Sequence, residues 1–70
     1  MSKELPFIIL CIEEYKNFKK ISGKEVVDLF NNYSVFDYIK SFYDVLHTTG
    51  TKYIVNDINL YIKAKQKAKS

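Results

Sequence analysis

His47 is the only histidine in the chain, with Asp44 three residues before it and Thr48 and Thr49 directly after. Together they are the first place to look for proton transfer or a hydrolytic nucleophile. Acyl transfer, however, needs an activated nucleophile, a base and a third group that orients the base, and neighbours in sequence do not establish that geometry. An imidazole near the end of a helix suits a simpler task, donating to unpaired carbonyls at the negative helix end. Cys11 is the only cysteine and falls among apolar residues, where a small hydrophobe is wanted. One cysteine forms no internal disulfide, and one cysteine with one histidine makes no structural zinc set. Glu13 and Glu14 point about a hundred degrees apart on a helix, so they suit ion pairs with nearby lysines better than paired-carboxylate chemistry. With only Gly23 and Gly50 as glycines, the chain has no phosphate-cradling loop. We therefore expect no catalytic, metal or cofactor residues, no small-molecule substrate, and no enzyme activity.

The other chemistry to weigh is charge. The net charge is +3, and Lys63, Lys65, Lys67 and Lys69 supply all of that excess, leaving the rest of the chain close to neutral. All eleven basic residues are lysine, which counts against reading a specific duplex, because the rigid guanidinium fork is the commonest tool for guanine edges. Those four lysines give at most a weak, salt-sensitive attraction to nucleic acid.

The elements that would position these residues read as helices. The first is expected from about Leu5 or Pro6 to Lys20, with proline tolerated in the first turn and Ser2 a possible cap if the helix starts earlier. Phe7, Ile8, Cys11, Ile12, Tyr15 and Phe18 share one face, whereas Ile9 and Leu10 do not. The first half of this helix is thus apolar nearly all round and has to be covered by the centre of the fold or by another chain.

Ser22 with Glu25 has capping-box spacing, and Ile21 with Val26 has that of a hydrophobic staple, so a second helix starts there with Val26, Leu29, Phe30 and Tyr33 inward. The third is expected over Ser34 to Leu46, capped by Ser34, with Val35, Tyr38, Ile39, Phe42, Val45 and Leu46 on one face and Phe36 and Tyr43 flanking. Gly50 is expected to be left-handed at its end. Lys52 to Val55 reads as a short extended or irregular linker, and Asn56 or Asp57 as the cap of a last helix carrying Ile58, Tyr61 and Ile62. From Lys63 the stripe runs out, and the tail is expected to fray.

Seventy residues allow one domain with a narrow margin between burial and chain entropy. Six tyrosines and five phenylalanines must carry much of that burial. The fold class expected is all-α, a small compact bundle of four helices over 1–62, with a frayed basic C-terminal tail over 63–70. The apolar run from Leu5 to Ile12 is too short for a membrane span, which needs about 18 or more such residues, and too poorly flanked for a secretion signal. A soluble cytoplasmic protein without a membrane partner is expected.

Six large residues lie off the main stripes: Ile9, Leu10, Phe36, Tyr43, Tyr53 and Leu60. Aromatic and aliphatic side chains of this kind are favoured at interface centres, so binding to another protein or self-association is the function expected. The alternative is a nucleic-acid-binding or transcription-regulating protein of helix-turn-helix type, built on the corner between the second and third helices. Against it, the polar face of the third helix offers Asp37, Lys40, Ser41 and Asp44, two of which repel phosphate.

Several blocks carry a resemblance: Cys11-Ile12-Glu13-Glu14-Tyr15, Ser22-Gly23-Lys24-Glu25-Val26 with Leu29-Phe30, Tyr38-Ile39 with Tyr43-Asp44-Val45-Leu46-His47-Thr48, and Tyr53-Ile54-Val55-Asn56-Asp57-Ile58. In these the chain resembles a family of short uncharacterised bacterial proteins from Firmicutes, often encoded near predicted toxins that look like ADP-ribosyltransferases. The resemblance implies a small cytoplasmic partner, antitoxin-like or accessory, and brings no catalytic residues with it. It also directs attention to Tyr43, Asp44, His47 and Thr48 as a contact surface.

Overall fold

Local signals fix the starts of the first two helices. In the computed structural model, residues 3–69 are described, and α1 runs over Leu5–Lys19 with Pro6 in its opening turn. The Glu4 carbonyl accepts the Ile8 N–H at 2.8 Å. Helix α1 ends where Lys20 turns left-handed, at φ 56°, and returns its N–H to the Lys16 carbonyl. Helix α2 spans Gly23–Asn32. Its cap is the one expected, since the Ser22 hydroxyl accepts the Glu25 N–H at 3.1 Å and lies 3.3 Å from the Glu25 carboxylate. Ser2, Ser70 and the side chains of Thr51 and Lys69 lie outside the described residues.

The chain is all-α and forms a small compact bundle, about 35 × 23 × 23 Å, but it has five helices among the described residues where four were expected. The first of two corrections accounts for the difference. The expected third helix is broken into α3, Val35–Ser41, and α4, Tyr43–Leu46, by Phe42 at φ −112°, ψ 21°. Side-chain packing overrides helical continuity at this point. Tyr43 meets Phe7 of α1 edge to face at 5.5 Å, and Leu46 is buried. Ser34 precedes α3 in a left-handed conformation, φ 57°, and makes no side-chain cap bond, contrary to the cap expected there.

The second correction concerns the end of the chain. Helix α5 spans Thr51–Lys69, so Lys52 to Val55 is helical rather than extended, and helix continues across Ile62 and Lys63 instead of fraying there. Branched residues lean toward strands only weakly when burial on a helix face is on offer. Here Ile54, Ile58 and Ile62 recur every four residues and are all buried, with Val55 beside them. Gly50 is not left-handed, because the chain restarts a helix at once and its carbonyl accepts the N–H groups of Tyr53 and Ile54.

The core collects Ile8, Cys11 and Tyr15 from α1, Val26 and Phe30 from α2, Val35 and Ile39 from α3, and the four branched residues of α5. Phe30 is its aromatic hub, edge-on to Tyr15 at 5.4 Å and to Phe36 at 5.5 Å. The buried Tyr15 hydroxyl is satisfied inside the fold by donating to Asn59 Oδ1 at 3.3 Å. Among the described residues no charged, amide, imidazole or Ser/Thr side chain is buried.

Candidate functional site

The block from Tyr43 to Thr48 forms a capped single turn. His47 is exposed, and its Nδ1 lies 2.7 Å from the Tyr43 carbonyl oxygen. A carbonyl only accepts, so Nδ1 carries the proton in this contact. The imidazole also stacks on the Tyr43 ring, 4.6 Å between centroids with an 8° tilt, and Lys3 Nζ stands 5.6 Å over the same ring. Thr48 and Thr49 hydroxyls both donate to the Val45 carbonyl, at 2.9 and 3.1 Å. The polar groups that looked like candidates for chemistry are thus committed to closing the helix end. Asp44 is exposed, and no hydrogen bond joins it to His47 among the described residues. Cys11 is buried, and desolvation pushes its thiol up to about 11, so it stays protonated at neutral pH. Among the described residues no group of three or more His, Cys, Asp or Glu side chains could hold a metal ion.

The six surplus residues do not gather on one surface. Phe36 is half-buried against Phe30, and Tyr43 is half-buried between Phe7 and His47, so both belong largely to the packing. Ile9, Leu10, Tyr53 and Leu60 are exposed, Tyr53 at 71% and Leu60 at 64%. Successive helix positions are turned by about a hundred degrees, which sets Ile9 and Leu10 on different flanks of α1. Tyr53 and Leu60, seven residues apart, share the outward face of α5.

Three residues placed in the core by periodicity are outside it. Phe18 is exposed at the edge of the α1 stripe, while Phe42 at 51% and Val45 at 64% are released by the break between α3 and α4. Phe18 helps to line an open hollow of about 460 Å³ between α1 and α5, together with Glu14, Asn17, Lys52, Val55 and Asn56. A second, much smaller hollow, lined by Leu10, Cys11, Glu14 and Ile54 and too tight for a water molecule, shares Glu14 with it. Glu13 pairs with Lys16 as expected, at 3.9 Å, whereas among the described residues Glu14 makes no ion pair with the lysines near the end of α1.

A further cluster was not anticipated. Tyr38 of α3 stacks on Tyr61 of α5, 4.3 Å between centroids, with Phe42 beside Tyr38 and Lys65 Nζ 5.2 Å over Tyr61. Tyr38 also donates to Asp57 at 3.5 Å. Burial first, then the charge and hydrogen bond of Asp57, hold the Tyr38 phenol above its ordinary value. The visible signal was spacing: Tyr38 and Phe42 lie four residues apart, as do Asp57, Tyr61 and Lys65 in turn.

Fold and surface together define a small helical domain with an apolar interior, apolar side chains left outside, and polar groups spent on caps. No helix among the described residues is long and apolar enough to cross a membrane. The chain belongs to the family described as protein of unknown function, DUF3791, whose model matches residues 6–65. Comparison with curated proteins and with solved structures gives no match.

Proposed function

We propose that this chain is a small protein-interaction module that works by docking on another protein. The observation that carries the reading is the surplus of uncovered apolar side chain. Leu5, Ile9, Leu10 and Phe18 on α1, Phe42 and Val45 around α4, and Tyr53 and Leu60 on α5 are all exposed in a domain of only seventy residues. Scattered single exposures are ordinary, but large residues on several flanks of so small a body are what an interface requires. The commitment of His47, Thr48 and Thr49 to helix closure leaves little for chemistry and also favours binding. The resemblance to short bacterial proteins encoded near ADP-ribosyltransferase-like toxins adds the biological form, an antitoxin-like or accessory cytoplasmic subunit. The test is capture of partners from the native host by the tagged chain and by folded Leu10→Asp and Leu60→Asp variants. The expected result is a stoichiometric partner lost with at least one variant. A chain that stays monomeric and captures nothing, or variants that keep every partner, would overturn the reading.

A further inference from the structure

A third hollow, of about 260 Å³, opens where the end of α1 meets α2 and α5. Its floor is apolar, with Ile62 buried and Ile21 and Leu29 half-buried. The charges around it differ from those of the hollow beside Phe18, where Glu14 offsets Lys52. Here Lys19 of α1 and Lys63 of α5 both line the space, and no acidic side chain does. Neither lysine is in an ion pair among the described residues. Lys19 makes only a loose contact, its Nζ 5.8 Å from the centre of the Phe18 ring. Glu25, close to Ile21 in sequence, lies against the Ser22 hydroxyl and is not part of the lining.

Asn59 adds neutral donors to the two cations. Its Oδ1 accepts from the buried Tyr15 hydroxyl, and its Nδ2, which carries two N–H bonds, has no acceptor among the described residues. The negative end of α1, which would repel an anion, is partly closed, because the Lys16 carbonyl accepts the N–H groups of both Lys20 and Ile21. Cations and donors without an acid, set over an apolar floor, suit a ligand that only accepts at one end and is apolar at the other. We infer that this hollow binds a small anion, a single carboxylate or phosphate on an apolar body, with the charged group held by Lys19, Lys63 and the Asn59 amide and the body resting on Ile21, Leu29 and Ile62. The space is smaller than the roughly 300–1,000 Å³ of pockets that hold drug-sized ligands, so the body is one ring or a short chain. This site is separate from the exposed apolar residues offered for docking and stands or falls without them.

The probes are phenyl phosphate and benzoate, with inorganic phosphate as the charge alone and benzyl alcohol as the body alone, each titrated into the full 15N-labelled chain. The expected result is saturable shifts at Ile21, Leu29, Asn59 and Lys63 with at least one of the two aromatic anions, about tenfold tighter than either control and weaker as salt rises. Lys19→Gln and Lys63→Gln should each weaken binding about tenfold at low salt while leaving the melting temperature nearly unchanged, since both side chains are exposed. Asn59→Asp keeps an oxygen to accept from Tyr15 but replaces the donors with negative charge, so it should abolish binding in a chain that still folds. Equal binding of inorganic phosphate, shifts as large around Lys24, Lys40 and Lys52 as around the hollow, or full affinity in Lys63→Gln would overturn the site. So would the absence of saturation by about 10 mM with both aromatic anions.

Discussion

Ile58 and Leu60 lie two residues apart on α5, one wholly enclosed at 0% exposure and the other 64% exposed, so replacing each separates what holds the fold from what it displays. Ile58→Ala removes three carbons from contact with the core, worth roughly 2.4 kcal/mol at about 0.8 kcal/mol per buried carbon, before any cavity left behind is counted. With the cavity the loss should be about 3–4 kcal/mol. A chain of this length has a total stability of roughly 4–10 kcal/mol, so this one change removes a large share of it. The corresponding fall in melting temperature is roughly 15–25 °C. Leu60→Asp gives up little burial and loses some helix propensity, with an aspartate newly placed near Lys63 and Ala64, so the cost should be about 0.5 kcal/mol. Circular dichroism during thermal and urea denaturation of the isolated chain reads both, and the slope with urea should not change. A loss above about 2 kcal/mol for Leu60→Asp would refute the reasoning, because it would mean that Leu60 is covered in the free protein.

Ser22→Ala removes the hydroxyl that accepts the Glu25 N–H and should cost about 1 kcal/mol, seen as a melting temperature lower by roughly 4–8 °C. Lys20→Gly relieves a left-handed residue that carries a side chain and should raise stability by about 0.5–1 kcal/mol in the same assay. At high pH the protein should lose stability. Burial raises Cys11 from 9.0 to about 11 and also raises Tyr15, and burial with Asp57 raises Tyr38, so the native state holds these protons more tightly than the unfolded chain does. That contribution is complete below the ordinary values and is lost as pH climbs through the raised ones. Urea midpoints should therefore fall above about pH 9, less steeply in Cys11→Ala, and a flat or rising profile would contradict the burial of these groups. In 15N spectra of the His47 ring, the neutral form should carry its proton on Nδ1, and a dominant Nε2–H form would show that the bond to Tyr43 is absent in solution.

Much of the first half of the fold was legible because its signals are local. Pro6 opens α1, Ser22 and Glu25 cap α2, and the periodic stripe correctly buried Ile8, Cys11, Tyr15, Val26 and Phe30. What escaped depends on contacts across the chain. The Phe7–Tyr43 contact accompanies a break at Phe42 that no local pattern announced, and the break moved Phe42 and Val45 outside. Lys52 to Val55 looks extended by residue type, and only the alignment of Ile54 with Ile58 and Ile62 on the core explains why it is helix. The surplus residues divided in the same way. Ile9, Leu10, Tyr53 and Leu60 are exposed, whereas Phe36 and Tyr43 found ring partners that sequence alone could not assign. The open hollow between α1 and α5 was missed because its two walls are about forty residues apart in sequence.

Hydroxyl-radical footprinting of the isolated chain and of its complex from the native host tests most directly whether the uncovered side chains serve docking. Leu10, Phe18, Tyr53 and Leu60 should all be labelled in the isolated chain, and either the pair on α1 or the pair on α5 should be protected in the complex. Protection of all four in the monomer, or equal labelling in both states, would contradict that claim.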